Sequence, residues 1–113
     1  MILPSKELFE LIIDRKTVYF NFSSRPNTYI EYKTNINTNN AINMYEFIFK
    51  LKEWITTEQS YMFIKTINYG DYRGYQAYVN NFQNEFETEC DTEFDAVVKA
   101  GEWILKMKEL NDK

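Results

Sequence analysis

Residues 61–90 read YMFIKTINYGDYRGYQAYVNNFQNEFETEC, and this stretch decides the fold class. It contains three runs rich in aromatic and β-branched residues, at Tyr61–Asn68, Tyr75–Val79 and Phe82–Cys90. The connection Tyr69–Gly74 holds two glycines and Asn80-Asn81 is typical of a tight turn, so both connections suit hairpins. The stretch therefore predicts a three-stranded antiparallel meander.

The chain before this meander predicts two helices with a hairpin between them. Apolar residues at i, i+3 and i+4 predict a short helix capped by Ser5 and a second helix over Ala41–Ile55. Between them, Thr17–Phe22 and Thr28–Lys33 have the composition of paired strands. Asn35–Asn40 is typical of a polar loop, and its last residue is the expected cap of the second helix.

After the meander the sequence predicts a third helix, capped by Asp91 or Thr92. Its expected buried stripe consists of Phe94, Val97, Val98, Gly101, Ile104 and Leu105. The predicted order is α-β-β-α-β-β-β-α. We therefore expect one α+β domain over residues 1–113, in which three helices cover an antiparallel sheet of about five strands.

The residue types that the chain lacks exclude many kinds of site. It has 113 residues, no histidine, three glycines and one cysteine, Cys90. A Ser-His-Asp triad, a Cys-His pair, a histidine-ligated zinc site, a glycine-rich phosphate loop and an intrachain disulfide are all excluded. We expect no catalytic residues, no cofactor and no resident metal. With no apolar run of membrane-spanning length and no signal-peptide layout, the expected location is the cytoplasm, away from membranes.

The negative charge is concentrated in one part of the chain. The net charge is −4, but residues 1–80 carry nine bases and eight acids, whereas residues 81–113 carry four bases and nine acids. Six acidic residues follow at every second position: Glu85, Glu87, Glu89, Asp91, Glu93 and Asp95. On a strand, the three glutamates share one face about 7 Å apart, while Phe82, Phe86 and Cys90 point mostly to the other face.

Three interpretations of this acidic segment stay open. It is a solvated outer face whose charges discourage edge-to-edge aggregation, a patch that docks on a basic protein surface, or a divalent-metal site. Carboxylates in a row on one strand diverge, which disfavours the metal site. A basic, nucleic-acid-binding surface of another protein is the expected partner, with the six acidic residues as the electrostatic footprint.

The hairpin adds a cluster of aromatic side chains. Tyr69, Tyr72 and Arg73 are the candidate contact anchors, because tyrosine and arginine are enriched in the parts of interfaces that contribute most to binding. For Tyr61 and Tyr75 the alternative interpretation is that their side chains line the sheet and contact no partner. Direct binding of nucleic acid is disfavoured, since a groove that follows the phosphate backbone needs more basic residues than this region has.

Two further hypotheses come from other parts of the chain. Glu31-Tyr32-Lys33, with Asp14 upstream, resembles the metal-binding fragment of the restriction-nuclease fold, which implies a magnesium-dependent nuclease using Asp14, Glu31 and Lys33. The flank of the last helix instead suggests a self-associating or antitoxin-like protein, with Trp103, Met107 and Leu110 forming a homodimer contact.

The pattern T-x-x-D-A-x-x-x-A, formed by Thr92, Asp95, Ala96 and Ala100, resembles the last helix of small phage ABA-sandwich domains and of the partial-ribonuclease-H-like antitoxin fold. In those folds small residues let the helix lie close on the sheet, and Gly101 is expected to serve the same purpose. The small, acidic, histidine-free chain also resembles phage-encoded counter-defence proteins, including anti-CRISPRs. That resemblance implies a non-enzymatic inhibitor that binds a host defence nuclease in the host cytoplasm.

Overall fold

A computed structural model describes residues 1–24, 28–57, 61–81 and 84–111 of the chain. The elements are α1 (Lys6–Ile13), β1 (Tyr19–Phe22), β2 (Tyr29–Lys33), β3 (Asn40–Asn43), α2 (Met44–Thr57), β4 (Tyr61–Tyr69), β5 (Tyr72–Asn80), β6 (Glu85–Cys90) and α3 (Glu93–Asn111). After α1, the order is two successive βββα units. The α+β class is confirmed, and Phe82, where the third strand of the meander was predicted to begin, lies outside the described residues.

The prediction of one sheet of about five strands is wrong, because the strands form two separate three-stranded sheets. Both are antiparallel meanders, with strand orders β1-β2-β3 and β4-β5-β6. Among the described residues no strand of the first sheet pairs with a strand of the second. Each strand pairs with its neighbour in sequence, and α2 separates the two meanders along the chain.

The predicted order is also wrong at β3, which sequence analysis assigned to a loop and a helix start. Asn40 is not a helix cap, and Ala41 is not helical. Instead, Ile42 lies opposite Ile30 in the β2–β3 ladder, and both side chains are buried. The helix begins at Met44, and the Asn43 side chain accepts a hydrogen bond from the Tyr45 N–H at 2.8 Å. Asn43 thereby satisfies an amide at the start of α2.

The caps of α1 and α3 and the apolar stripe of α2 are confirmed, whereas Leu105 of the stripe expected for α3 is only half-buried. The Ser5 side chain accepts the Leu8 N–H at 3.2 Å at the start of α1. Of the two candidate caps of α3, Thr92 has the capping contact, because its hydroxyl oxygen accepts the Asp95 N–H at 3.1 Å. The apolar stripe of α2 is buried at every predicted position, namely Met44, Phe47, Ile48, Leu51 and Ile55.

The hairpin between β4 and β5 is tighter than predicted. Its turn is only Gly70-Asp71, and Tyr69 pairs with Tyr72 directly across it. Gly70 has a φ of +59°, the left-handed value that a two-residue hairpin turn requires at its first position and that glycine adopts without strain. Gly74, predicted to lie in this connection, is a buried residue of β5.

The three helices form one layer against the sheets. The Cα atoms span 43 × 43 × 17 Å, and the short dimension leaves room for one layer of helices and one layer of strands. Where the helices meet, a Cβ added at Gly101 would lie 2.7 Å from Leu51 Cδ1 and 3.2 Å from Leu8 Cδ2. Gly101 therefore permits close approach between α3 and the other two helices, rather than the approach to a sheet expected from the resemblance.

A chain of five phenylalanine rings connects β1 to all three helices. The ring centroids are 4.5 Å apart for Phe20–Phe9, 5.5 Å for Phe9–Phe47, 6.2 Å for Phe47–Phe94 and 5.8 Å for Phe94–Phe22. The chain begins and ends on β1 and passes through α1, α2 and α3. Centroid separations of this size are those of favourable aromatic pairs.

Phe47→Ala is expected to lower the free energy of unfolding by about 3–5 kcal/mol, because it removes a fully buried ring from the centre of this chain. Phe49→Ala is the matched control on the same helix. The Phe49 ring is 61% exposed, so its loss is expected to cost less than about 0.5 kcal/mol. Urea denaturation of both variants measures the difference, and equal losses would contradict the packing described for α2.

Candidate protein-binding face

The β4–β6 sheet has one face against the helices and one face that no described element covers. Its helix side packs mainly against α3, with α2 beside β4. Along β6 the exposure alternates: Phe86 and Cys90 point to the helices, and the three glutamates are exposed on the other side. The predicted alternation is thus confirmed for the described residues. We call this uncovered surface the outer face, and its members are Tyr61, Phe63, Lys65, Gln76, Tyr78, Asn80, Glu85, Glu87 and Glu89.

The strand register arranges the outer face in three rows that cross the sheet. The rows are Tyr61–Asn80–Glu85, Phe63–Tyr78–Glu87 and Lys65–Gln76–Glu89. Side chains directly opposite on neighbouring strands lie about 5 Å apart at their Cβ atoms. Each row therefore ends in a carboxylate on β6, and two of the three begin with an aromatic ring on β4.

The three glutamates of β6 form a column of negative charge. No hydrogen bond or ion pair joins Glu85, Glu87 or Glu89 to another residue that the structure describes. At about 7 Å in a water-like dielectric, neighbouring carboxylates repel each other by about 0.6 kcal/mol. The isolated protein tolerates this small repulsion, and a basic surface facing the column would interact with all three charges together.

The aromatic part of the outer face extends beyond the residues selected from the sequence. Tyr61 is 65% exposed and Phe63 is 42% exposed, and the Phe63 ring meets the half-buried Tyr78 ring edge-on at 6.3 Å. Phe63 was not predicted as a contact residue, and lining of the sheet was one interpretation of Tyr61. Alternation along β4 places Phe63 outward only once it is known that Met62 and Ile64 pack against the core, because both faces of this strand carry apolar residues.

The three hairpin residues predicted as contact anchors do not share one surface. Tyr72 lies on the same side as the outer face, and its ring rests on Gly74, where a Cβ would come within 2.6 Å of the phenol oxygen. Arg73, one position along β5, points to the opposite side of the sheet. Tyr69 pairs with Tyr72 through the backbone register, and its side chain lies outside the described part of the structure.

Tyr72 is close to the acidic end of β6. Its hydroxyl lies 3.5 Å from Asp91 Oδ1. Burial of the phenol, followed by the negative charges of Asp91 and Glu89, raises the pKa of Tyr72 above its ordinary value, because each disfavours the phenolate. Tyr72, Glu89 and Asp91 therefore lie together at one end of the glutamate column.

The last two of the six predicted carboxylates make contacts within the chain. Glu93 forms an ion pair with Lys52 of α2. Asp95 Oδ1 accepts a hydrogen bond from the Ile2 N–H at 2.7 Å. Both lie in the first turn of α3, where the helix dipole favours negative charge. Glu93 and Asp95 thus stabilise the start of α3, whereas the glutamates of β6 have no such contact among the described residues.

In the described part of the chain, Asp14 of the nuclease hypothesis lines one cavity, and Glu31 and Lys33 line another. Asp14 ends α1 in the left-handed conformation, with a φ of +58°, and its N–H bonds to the Glu10 carbonyl. Glu31 accepts a hydrogen bond from the Ser23 hydroxyl at 3.1 Å. A cavity next to β2 is lined by Glu31 and Lys33, and Asp14 is not among its lining residues. Within the described ranges, no group of three or more Asp, Glu or Cys side chains is arranged to hold a metal ion.

The flank of α3 that was predicted as a dimer contact is partly used inside the molecule. Trp103 stacks on Phe86 of β6, with ring centroids 5.6 Å apart and planes 18° from parallel. Met107 is half-buried, and Leu110 is 54% exposed. The homodimer contact through this flank stays a prediction. No helix in the part of the chain that the structure describes is long and apolar enough to cross a membrane.

Comparison of the chain with models of known protein families, with curated proteins and with solved structures finds no match. The resemblances to ABA-sandwich domains, antitoxins and counter-defence proteins therefore stay predictions.

Glu89→Gln is expected to lower the pKa of Tyr72, because it removes one of the negative charges that disfavour the phenolate. Asp91→Asn is expected to act in the same direction. Glu53→Gln on α2 is the control with the same loss of charge and no expected effect. The pKa is measured by NMR titration of ring-labelled tyrosine, with Tyr72→Phe to assign the signal. A pKa unchanged by both substitutions would show that Tyr72 does not face the end of the glutamate column.

Proposed function

We propose that this chain is a non-catalytic binding domain that docks its outer face on a basic surface of another protein. One observation carries the proposal: three exposed carboxylates without described partners stand in a column beside exposed aromatic rings, on a sheet face that no described element covers. This combination suits a binding surface better than it suits a catalytic centre.

The two parts of the outer face have different roles in this proposal. The glutamate column accelerates association with a positively charged surface and selects against acidic partners. Tyr61, Phe63 and Tyr78 provide contact area with few rotatable bonds, which limits the entropy lost on binding. Asn80 and Gln76 lie between the rings and the carboxylates and supply hydrogen-bonding groups.

The partner in this proposal is the nucleic-acid-binding surface of a host effector, such as a defence nuclease, in the host cytoplasm. Such surfaces are basic because they neutralise phosphates, and a column of carboxylates presents the same sign of charge. The domain would then act as a stoichiometric inhibitor that keeps nucleic acid from the surface it occupies. The absence of histidine and the acidic character of the chain support this role.

Reversing the charge of the column tests the proposal. The variant Glu85→Lys, Glu87→Lys, Glu89→Lys is expected to lose binding to the partner captured by the immobilised wild-type domain from an extract of cells that express it. The matched control reverses three exposed glutamates on the helices, Glu7, Glu46 and Glu53, and changes the net charge by the same amount. Because only the position of the charge differs, the control is expected to retain the partner.

A second measurement addresses the class of partner. A DNA or RNA oligonucleotide is expected to compete with the domain for the captured protein, and added salt is expected to weaken the complex. Circular dichroism checks that both triple variants are folded. The proposal fails if the column variant binds as well as the wild type, or if the helix variant loses binding to the same extent.

A further inference from the structure

The strand β4 differs from the other strands that lie at the edges of the two sheets. The described edge strands are β1 and β3 with four residues each, β6 with six and β4 with nine. The strands β1 and β3 are too short to pair extensively with a strand of another chain, and the three glutamates of β6 disfavour such pairing at its edge. Along its nine residues β4 carries one charge, Lys65, and its other side chains are mostly apolar or aromatic. It is therefore the least protected edge of the described structure.

The hairpin register shows which backbone groups of β4 are unpaired. With a two-residue turn, the closing pair Tyr69–Tyr72 is hydrogen-bonded, and hydrogen-bonded pairs recur at every second residue from there. The N–H and C=O groups of Met62, Ile64, Thr66 and Asn68 consequently point away from β5. None of these groups appears in any other backbone hydrogen bond of the described residues.

We infer that β4 pairs with β4 of a second copy of this chain, antiparallel and about a two-fold axis at Ile64. Pairing on this axis places Ile64 opposite Ile64 of the second copy and Met62 opposite Thr66. It forms about six backbone hydrogen bonds between outward-pointing groups. The two β4–β6 sheets become one antiparallel sheet of six strands.

The side chains disfavour the axes at Lys65 and Thr66, and the strand length disfavours an axis at Phe63. With the axis at Phe63, Thr66 would lie opposite a position before β4 begins, and only about four backbone hydrogen bonds would form. An axis at Lys65 would place two ammonium groups directly opposite each other, which is unfavourable. An axis at Thr66 would place Ile64 opposite Asn68, an apolar residue against a polar one. With the axis at Ile64, Lys65 of each copy lies opposite Phe63 of the other, where the ammonium group and the ring attract each other.

Pairing of β4 with β4 of a second copy also gives a closed assembly of two chains. Pairing of β4 with β6 of another copy would bring Lys65 near glutamates, but that contact is heterologous, so two copies joined in this way still expose one free β4 edge. The two-fold pairing of β4 with itself consumes both unprotected edges and leaves only the acidic β6 edges outside. The resulting dimer carries two glutamate columns about 24 Å apart, and its formation does not depend on the proposed function.

Disulfide trapping tests both the edge and the axis. In a Cys90→Ala background, Ile64→Cys places two thiols on opposite residues about 5.5 Å apart at Cα, which is within the range of a disulfide. Lys65→Cys and Thr66→Cys are the matched controls, because on this axis each residue lies too far from the same residue of the second copy to form a disulfide. Mild oxidation and a non-reducing gel are expected to give a covalent dimer for Ile64→Cys alone. A covalent dimer only for Lys65→Cys or Thr66→Cys would overturn the axis, and none for any variant would overturn the pairing.

Sedimentation equilibrium of the wild type and two further variants gives a second readout. Thr66→Pro removes an outward-pointing N–H that β5 does not use, and it is expected to weaken the dimer about thirtyfold through two lost hydrogen bonds. Leu110→Glu on the flank of α3 is expected to leave the dimer unchanged. A monomeric wild type, or a dimer that Leu110→Glu dissociates and Thr66→Pro does not, would overturn the inference. Circular dichroism confirms the fold of Thr66→Pro, and if it does not fold, the trapping result decides.

Discussion

One buried apolar layer, which includes the ring chain from Phe20 through Phe9, Phe47 and Phe94 to Phe22, holds the helices and both sheets together. Among the described residues, no backbone hydrogen bond joins the two sheets. What unites them is one apolar cluster that contains residues of both sheets and of all three helices. The burial of this layer, rather than a continuous sheet, therefore gives the domain its single core.

Packing all helices on one side leaves the other side of the strands uncovered. The radius of gyration is 14.9 Å, against about 13 Å for a compact chain of this length, so the molecule is flatter than most domains of its size. A flat two-layer domain exposes a large sheet face, and here that face carries the glutamate column and the exposed rings of Tyr61 and Phe63. The one-sided helix layer accounts for the open face, whereas the edge of β4 is open because it is the terminal strand of its sheet among the described residues.

The parts of the fold that sequence analysis predicted are those set by local patterns. The stripe of α2, the caps Ser5 and Thr92 and the Gly70 turn each depend on a few neighbouring residues. The strand β3 could not be predicted, because the asparagine-rich segment around Ile42 becomes a strand only through its pairing with β2. The division into two sheets likewise depends on how distant segments pack.

In the candidate site, too, the features set by neighbouring residues were predictable, and the features set by residues far away in sequence were not. Alternation along β6 predicted the column of Glu85, Glu87 and Glu89. The internal contacts of Glu93 and Asp95 were not predictable, since their partners, Lys52 and Ile2, are 41 and 93 residues away in sequence. The exposure of Phe63 was missed because the face of β4 that the helices cover is decided by tertiary packing.

We propose that the outer face is where this domain binds basic partners. Titration of ¹⁵N-labelled protein with a lysine-rich peptide, followed by NMR chemical shifts, tests it even before the natural partner is identified. We predict that the largest shift changes fall on Glu85–Glu89 and on the residues paired with them in β5, and that salt reverses them. Changes of equal size around the exposed glutamates of α2, Glu46 and Glu53, would show that the peptide follows negative charge wherever it occurs and would contradict the claim.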